Sequence, residues 1–326
     1  MKYNIAICGA TGVVGRTVLQ VLEEKNLLKY NYHLFASKKS KGKKLKIGDT
    51  KYKVKELCWQ NLEQTNFHFA LFCTGEDVSK LYVKKLAKMG TVVIDFSSLY
   101  RKKYPLIVPE INFNKINGNV ICNPNCSTIA GVVSLYNLHK NFGLSRIVYS
   151  TYQALSGAGL GALKDKNVKN PKRLKKLDYV IDNNILPTIG DIKTNNYTKE
   201  ENKMIFETKK ILGDKKIKIS ATCVRVPIDI CHSESINFTT KQKVGIKELK
   251  NCLTKTNGVK FVDNQINMLM PSAVCGKDDV FVGRLRRDEV DANTYNMFIV
   301  SDNLRKGSAL NAVQILERLM EGKNDI

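Results

Sequence analysis

Residues 121–131 read ICNPNCSTIAG. Cys126 follows an Asn-Pro-Asn turn, and the small, hydroxylated and apolar residues after it continue through SLYNLHKNF. That pattern predicts a helix starting near the thiol. The N–H groups at a helix start favour a thiolate, the form of cysteine that attacks a carbonyl carbon. Asn125 is placed to orient a carbonyl oxygen, and the Asn-Pro step at 123–124 fixes the approach to the turn. The competing reading is a small buried hydrophobe, which is how Cys122, inside an apolar run, is read.

A reactive thiol needs partners, and two stretches offer them. In TYQALSGAGLG, Gln153 ends a β-type run just before a glycine-rich segment. In TCVRVPIDICHSES, Arg225 and His232 lie in one β-rich stretch. Polar and charged groups in such surroundings are costly unless paired or used. For His232 a satisfied core imidazole and an acid/base role stand as equal readings.

A second chemistry is written at the start of the chain. Gly9, Gly12 and Gly15 form G-x-x-G-x-x-G between the apolar run YNIAICG and the helix-spaced VLQVLEEKN. Glycines permit the tight turn and close backbone approach to a pyrophosphate, and the helix N-terminus faces the anion. This predicts a nucleotide site built from Gly9, Thr11, Gly12, Val13, Val14 and Gly15. The second strand ends in FASKKSKGKKL, with no acid to hold a ribose diol. Ser37, Lys39 and Ser40, with Lys38 between them, suit a 2′-phosphate, so NADP is expected over NAD.

These residues need a scaffold. Apolar runs at 31–37, 67–74 and 91–96 alternate with helical spacing, such as SKLYVKKLAKMG closed by Gly90. Strands alternating with helices predict an α/β, doubly wound, Rossmann-like parallel sheet. Beyond about residue 122 the texture changes to longer β runs, RIVYSTYQAL, IKISATCVRVP, SESINFTTK and TYNMFIVSDN, which predict an α+β domain with a mostly antiparallel or mixed sheet. The tail NLRKGSALNAVQILERLMEG reads as an amphipathic helix that returns to the first domain. The expected division is 1–122 plus 303–326 for the NADP-binding domain, and 123–302 for the catalytic and dimerisation domain.

Composition narrows the class. Nine cysteines, an odd number without CxxC spacing, argue for reduced thiols rather than a disulfide framework. Four histidines, none at metal-ligand spacing with a cysteine, give no metal site. No long apolar run or leader-like segment is visible, which predicts a cytoplasmic protein without membrane association. The net charge of +23 raises nucleic-acid binding, but lysines spread along the chain, without an aromatic-basic stripe, argue for solvated cationic surface that attracts phosphorylated ligands.

GATGVVG, VPEIN, NPNCSTI, YQALSGAG, TKEENKMIFETKKIL, RVPIDICHSESI and DNLRKGSALNAVQI occur in this order over nearly the whole chain. Together they resemble the bacterial-type aspartate-semialdehyde dehydrogenase family. The resemblance implies that Cys126 is the nucleophile, His232 its acid/base partner and Gln153 the residue that positions the intermediate. It implies that Arg225 grips the substrate carboxylate, Arg101 binds phosphate, Glu200 reads the substrate amine and Lys203 serves the phosphate site. Ser156, Gly157 and Asn303 would border the nicotinamide. TKEENK also reads locally as a capping box, with Thr198 as N-cap and Glu201 three residues on. The resemblance further implies an NADP-dependent reaction through a cysteine thioester, with inorganic phosphate and a small-molecule substrate, in a homodimer or homotetramer. Two positions depart from the family pattern: Cys231 stands where a small residue, often Gly or Ala, precedes the histidine, and Phe96 follows Asp95. Alternatives are an N-acetylglutamyl-phosphate reductase, whose motif typically reads Pro-Gly-Cys where this chain has Pro-Asn-Cys-Ser, and an inactive basic binding relative.

Overall fold

A computed structural model describes residues 2–263 and 265–322. The chain divides into two compact units, Met1–Pro124 with Ser308–Ile326, and Asn125–Gly307. The last four residues of the expected first-domain span, 323–326, lie outside the described residues.

In the first unit, strands β1 (Asn4–Cys8), β2 (Asn31–Ala36), β5 (Lys55–Glu56), β6 (Phe69–Phe72), β7 (Val92–Asp95) and β8 (Val120–Cys122) form one parallel sheet in the order β5-β2-β1-β6-β7-β8. Strands β3 (Lys44–Ile47) and β4 (Thr50–Lys53) make a separate antiparallel hairpin. FALF in β6 and VVID in β7 are buried at every position, as expected of a sheet covered on both faces. The chain leaves β1 toward β2 on one side and returns through β6 and β7 on the other. The end of β1 is therefore the point where strand order reverses, the usual place for a ligand in such sheets.

Helix Val13–Glu24 buries Val18, Leu19, Val21 and Leu22 in the core of this sheet. Helix Leu310–Glu321 joins the same core through Leu310, Val313, Ile315, Leu316 and Met320, so the chain's C-terminal helix is part of the nucleotide-fold unit as expected. Asn311 Nδ2 fixes it by donating to Ile107 O at 2.9 Å and Asn123 Oδ1 at 2.8 Å.

The second unit is built on one mixed sheet. Strands β9 (Leu144–Gln153), β10 (Lys218–Arg225), β11 (His232–Thr240), β12 (Val259–Val262), β13 (Val280–Arg287) and β14 (Thr294–Ser301) run in the order β10-β9-β11-β14-β13-β12. The β9–β10 and β12–β13 pairs are parallel, and the other pairs are antiparallel. On β11, residues 232, 234, 236, 238 and 240 are all buried, and Ser235, Asn237 and Thr239 between them are less so. This period-2 pattern marks one covered face. Helix Cys126–Phe142 packs on that face, with helix Lys199–Leu212 beside it. Helix Cys126–Phe142 is apolar on most sides, burying Ile129, Ala130, Val132, Val133, Leu135 and Leu138, because sheet and helix both cover it.

Candidate active site

The site grows from the ends of secondary-structure elements. Cys126 is the first residue of its helix, and Asn125 is the N-cap, its Oδ1 accepting from Ser127 N at 3.0 Å and Thr128 N at 3.2 Å. Gln153 and Arg225 are the last residues of β9 and β10 and stand directly opposite each other across that parallel pair. His232 opens β11. Glu200 and Lys203 lie one turn apart on helix Lys199–Leu212, which starts with the expected capping box of Thr198 and Glu201.

These residues meet. Cys126 Sγ lies 3.1 Å from His232 Nε2. Ala154 N donates to His232 Nδ1 at 3.0 Å, so the neutral ring carries its proton on Nε2 and presents it to the sulfur. Burial first, then the Arg225 charge, lower the imidazole to about 3 against the opposing pull of Glu200, and the ring stays neutral. Arg225 Nη1 donates to Ala154 O at 2.7 Å, so the Ala154 peptide orients both imidazole and guanidinium.

Glu200 anchors the polar side of the site. It accepts from Lys203 Nζ at 2.6 Å, Asn125 Nδ2 at 2.7 Å and Gln153 Nε2 at 3.2 Å. Burial works to raise its pKa, but the Lys203 charge and hydrogen bond, followed by the two amides, bring it down to about 2. Both ends of the Asn125 amide are therefore engaged, one capping the helix and the other holding Glu200. The Cys126 thiol is pushed up to about 11, by burial and then by Glu200. Arg225, Lys203 and the Ser127 N–H oppose that rise.

Four contributors were not evident in the sequence. Glu207 Oε2 accepts from Asn125 N at 2.7 Å, and its position two turns beyond Glu200 on the same helix was the available signal. Ala154 acts only through its backbone, which sequence does not display. Gly307 approaches so closely that a Cβ there would meet Cys126 Cβ at 3.1 Å. Leu186, in a segment with no clear periodicity, pairs with Arg225 through both backbone groups at 2.9 and 3.0 Å.

Of the residues expected at the nicotinamide, Gly157 lies against His232 and Arg225: a Cβ there would meet His232 Cε1 at 3.1 Å and Arg225 Nη1 at 3.2 Å. Ser156 Oγ accepts from Asn303 Nδ2 at 2.9 Å, and Asn303 Oδ1 accepts from Cys231 N at 2.9 Å. Arg101 belongs to the first unit, where it is buried and its Nη2 donates to Phe96 O at 2.8 Å.

The nucleotide loop is also in the first unit. Gly9 has φ +84°, and a Cβ there would meet Cys73 O at 2.4 Å. A Cβ on Gly15 would meet Gly9 O at 2.2 Å. Side chains are thus excluded from the turn between β1 and its helix. Gly12 is the N-cap of that helix, with no side-chain cap and no acid in the first turn. The N–H groups of Val13, Val14 and Gly15 receive no partner from the helix itself, as an anion cradle requires. Thr11 Oγ1 donates to Ser40 Oγ at 3.3 Å and ties the glycine loop to the segment after β2. There Ser37 caps a short turn carrying Lys38 and Lys39, both exposed, as is Ser37. These residues fit a dinucleotide whose ribose end meets hydroxyls and cations rather than a carboxylate.

Comparison with known proteins gives the family. The family model "Semialdehyde dehydrogenase, NAD binding domain" matches residues 4–119, and "Semialdehyde dehydrogenase, dimerisation domain" matches residues 135–306. The fold and site thus define a semialdehyde dehydrogenase, an oxidoreductase with a nucleotide-binding and a dimerisation domain. The aspartate-semialdehyde dehydrogenase of Aquifex aeolicus is 44% identical, over 98% of this chain and 99% of the relative. That of Bacillus subtilis is 39% identical, over 97% of each. The crystal structure of aspartate semialdehyde dehydrogenase II complexed with ASA from Vibrio cholerae superposes with a TM-score of 0.93 at 36% identity, covering 98% of this chain and 99% of that one. The chain belongs to the aspartate-semialdehyde dehydrogenase family, enzymes of amino-acid biosynthesis. Among the described residues no helix is long and apolar enough to cross a membrane.

Proposed function

We propose that this enzyme reversibly converts L-aspartyl 4-phosphate to L-aspartate 4-semialdehyde with NADPH, through a thioester on Cys126. The products would feed biosynthesis of lysine, threonine, methionine and diaminopimelate. The observation that carries the reading is the 3.1 Å approach of Cys126 Sγ to His232 Nε2 at a helix N-terminus, beside one buried carboxylate and one buried guanidinium.

In this reading the Cys126 sulfur, as thiolate, bonds to the acyl carbon while that carbon's bond to the phosphate oxygen breaks, and the proton given up by the thiol leaves with the phosphate as HPO4²⁻. Arg225 holds the α-carboxylate and Glu200 the α-ammonium. A substrate ammonium on Glu200 would neutralise one of the two influences that raise the thiol, so binding itself promotes the thiolate. Gln153, held by its bond to Glu200, orients the thioester carbonyl. Arg101 and Lys203 serve the phosphate. When bound, NADPH supplies the hydride that turns the thioester carbonyl carbon tetrahedral. His232 Nε2–H stabilises the oxygen of that adduct; the carbon–sulfur bond then breaks, releasing the aldehyde and restoring the thiolate. The oxidative direction runs the same steps backward, with phosphate attacking the thioester.

NADP is proposed over NAD because Ser37, Lys39 and Ser40 follow β2 where an NAD enzyme places an acid. Gly9, Thr11, Gly12, Val13, Val14 and Gly15 would hold the pyrophosphate, and Ser156, Gly157 and Asn303 the nicotinamide end. We also propose a homodimer through the outer face of the second sheet, where Tyr152 is 38% exposed beside Phe298, and a cytosolic location consistent with nine free cysteines.

The test mixes aspartate semialdehyde, inorganic phosphate and NADP⁺ and follows reduced-nicotinamide absorbance. Phosphate-dependent reduction that disappears in Cys126→Ala supports the reading. Activity with N-acetylglutamate semialdehyde but not aspartate semialdehyde would replace the substrate. Turnover that survives Cys126→Ala would overturn the mechanism.

A further inference from the structure

Outside the reactive cluster, the second unit brings two thiols and a carboxylate together from three distant segments. The Sγ atoms of Cys231 and Cys275 and a carboxylate oxygen of Asp302 all lie within 4.8 Å of one another. Among the described residues this is the one grouping of three or more potential metal-ligating side chains. Cys231 and Asp302 are buried and Cys275 is exposed, so the group opens to solvent at one end.

The surroundings are built for a fixed carboxylate. Asp302 Oδ2 accepts from Gly276 N at 2.8 Å, and Oδ1 accepts from Leu304 N at 2.9 Å and Arg305 N at 3.1 Å. The nearby cation, Arg305, is committed to Asp278, at 2.7 Å through Nε and 2.6 Å through Nη2. Val262, Leu269, Val274, Phe281 and Val300 pack around Cys231, giving the thiol an apolar wall. Cys231 itself has φ +78°, a left-handed conformation that glycine adopts easily and a residue with a Cβ does not. The fold places a thiol on a strained residue directly beside His232.

We infer that Cys231, Cys275 and Asp302 form a binding site for a thiophilic divalent cation of the zinc class, with the fourth position open to solvent. A tetrahedral ion with metal–sulfur bonds of roughly 2.3 Å holds its sulfurs roughly 4 Å apart, inside the 4.8 Å within which these ligand atoms lie. The step is M²⁺ + 2 R–SH → M(SR)₂ + 2 H⁺, with no change of oxidation state and the protons passing to solvent. A cation is favoured over a disulfide because the carboxylate has no part in a disulfide. Occupation would clamp the peptide that carries His232, joining metal supply to turnover.

The test uses the full chain carrying Cys126→Ala, which removes the other thiol–imidazole pair, reduced and kept under nitrogen. Cadmium is titrated while the thiolate-to-cadmium ultraviolet band, proton release and the thermal midpoint are recorded. The expected result is saturation near about one cadmium per chain, release of about two protons and a raised midpoint. Adding Cys275→Ser or Asp302→Asn should weaken binding at least about tenfold. No band at stoichiometric cadmium, or a band unchanged by Cys275→Ser, would overturn the proposal. So would a reduced chain that ignores cadmium yet forms a Cys231–Cys275 disulfide with a low-molecular-weight disulfide, which would make the pair a redox couple.

Discussion

Glu200→Gln removes the charge on which the second unit's polar cluster is arranged while keeping its shape. In the folded chain the carboxyl is shifted from 4.5 to about 2. A folded-state pKa below the unfolded one contributes stability above pH 4.5, which is lost as pH falls through 4.5 toward 2. At about 1.4 kcal/mol per pK unit the shift corresponds to about 3 kcal/mol. The variant also removes the carboxylate charge that Lys203 Nζ meets at 2.6 Å, which is the same interaction and adds no separate loss. Urea denaturation at pH 7 should find Glu200→Gln about 3 kcal/mol less stable than wild type. A series from pH 7 down to pH 4 should show the wild-type advantage starting to shrink at the acid end. A loss under about 1 kcal/mol at pH 7, the size of a surface pair, would refute the reasoning.

Three further outcomes follow from particular contacts. Gly307→Ala places a methyl 3.1 Å from Cys126 Cβ, and kcat should fall about ten- to a hundredfold with the thermal midpoint nearly unchanged; wild-type kcat would refute the close-approach reading. Lys39→Ala should raise KM for NADP⁺ about tenfold and leave KM for NAD⁺ alone, while an equal change in both would remove Lys39 from 2′-phosphate recognition. Glu234 is fully buried, neither carboxylate oxygen has a hydrogen-bond partner among the described residues, and burial pushes its pKa well up. Its proton is retained in the folded chain while the unfolded chain releases it above about pH 4.5, so it costs stability as pH rises, by about 1.4 kcal/mol per pH unit. Glu234→Gln should flatten the fall in unfolding free energy between pH 5 and pH 7; an unchanged slope would mean the carboxylate is ionised in place.

Much of the scaffold was legible because its signals are local. The runs at 31–37 and 91–96 are rich in apolar residues, and LFA in the first and VVI in the second are fully buried in the parallel sheet. The helix that begins at Cys126 was visible from one polar cap followed by apolar residues. The hairpin β3–β4 was not, because half of KLKI and TKYK is lysine and only Ile47, with Leu45 and Tyr52 partly buried, reaches the core. β13 was missed for a related reason: GRLRR ends it in exposed charge after a buried VFV.

The site divides in the same way. Gln153, Arg225 and His232 could be picked out as costly polar groups in β-type runs and Cys126 as the start of a helix, and resemblance joined them. What assembled them could not be read. The Ala154 peptide acts through atoms every residue has, Gly307 through an absent Cβ, and Cys231 through a backbone angle. The Cys231–Cys275–Asp302 group was invisible to a search for ligand spacing, since its members are brought together only by the turns next to β11 and β14 and the segment before β13.

A thioester on Cys126 can be trapped. The reduced chain is mixed with L-aspartyl 4-phosphate without NADPH, quenched in acid, digested and analysed by mass spectrometry. The account predicts an aspartyl adduct on the peptide containing Cys126, discharged by NADPH and lost in Cys126→Ala. An adduct on another cysteine, or none while wild-type enzyme turns over the same substrate with NADPH, would contradict it.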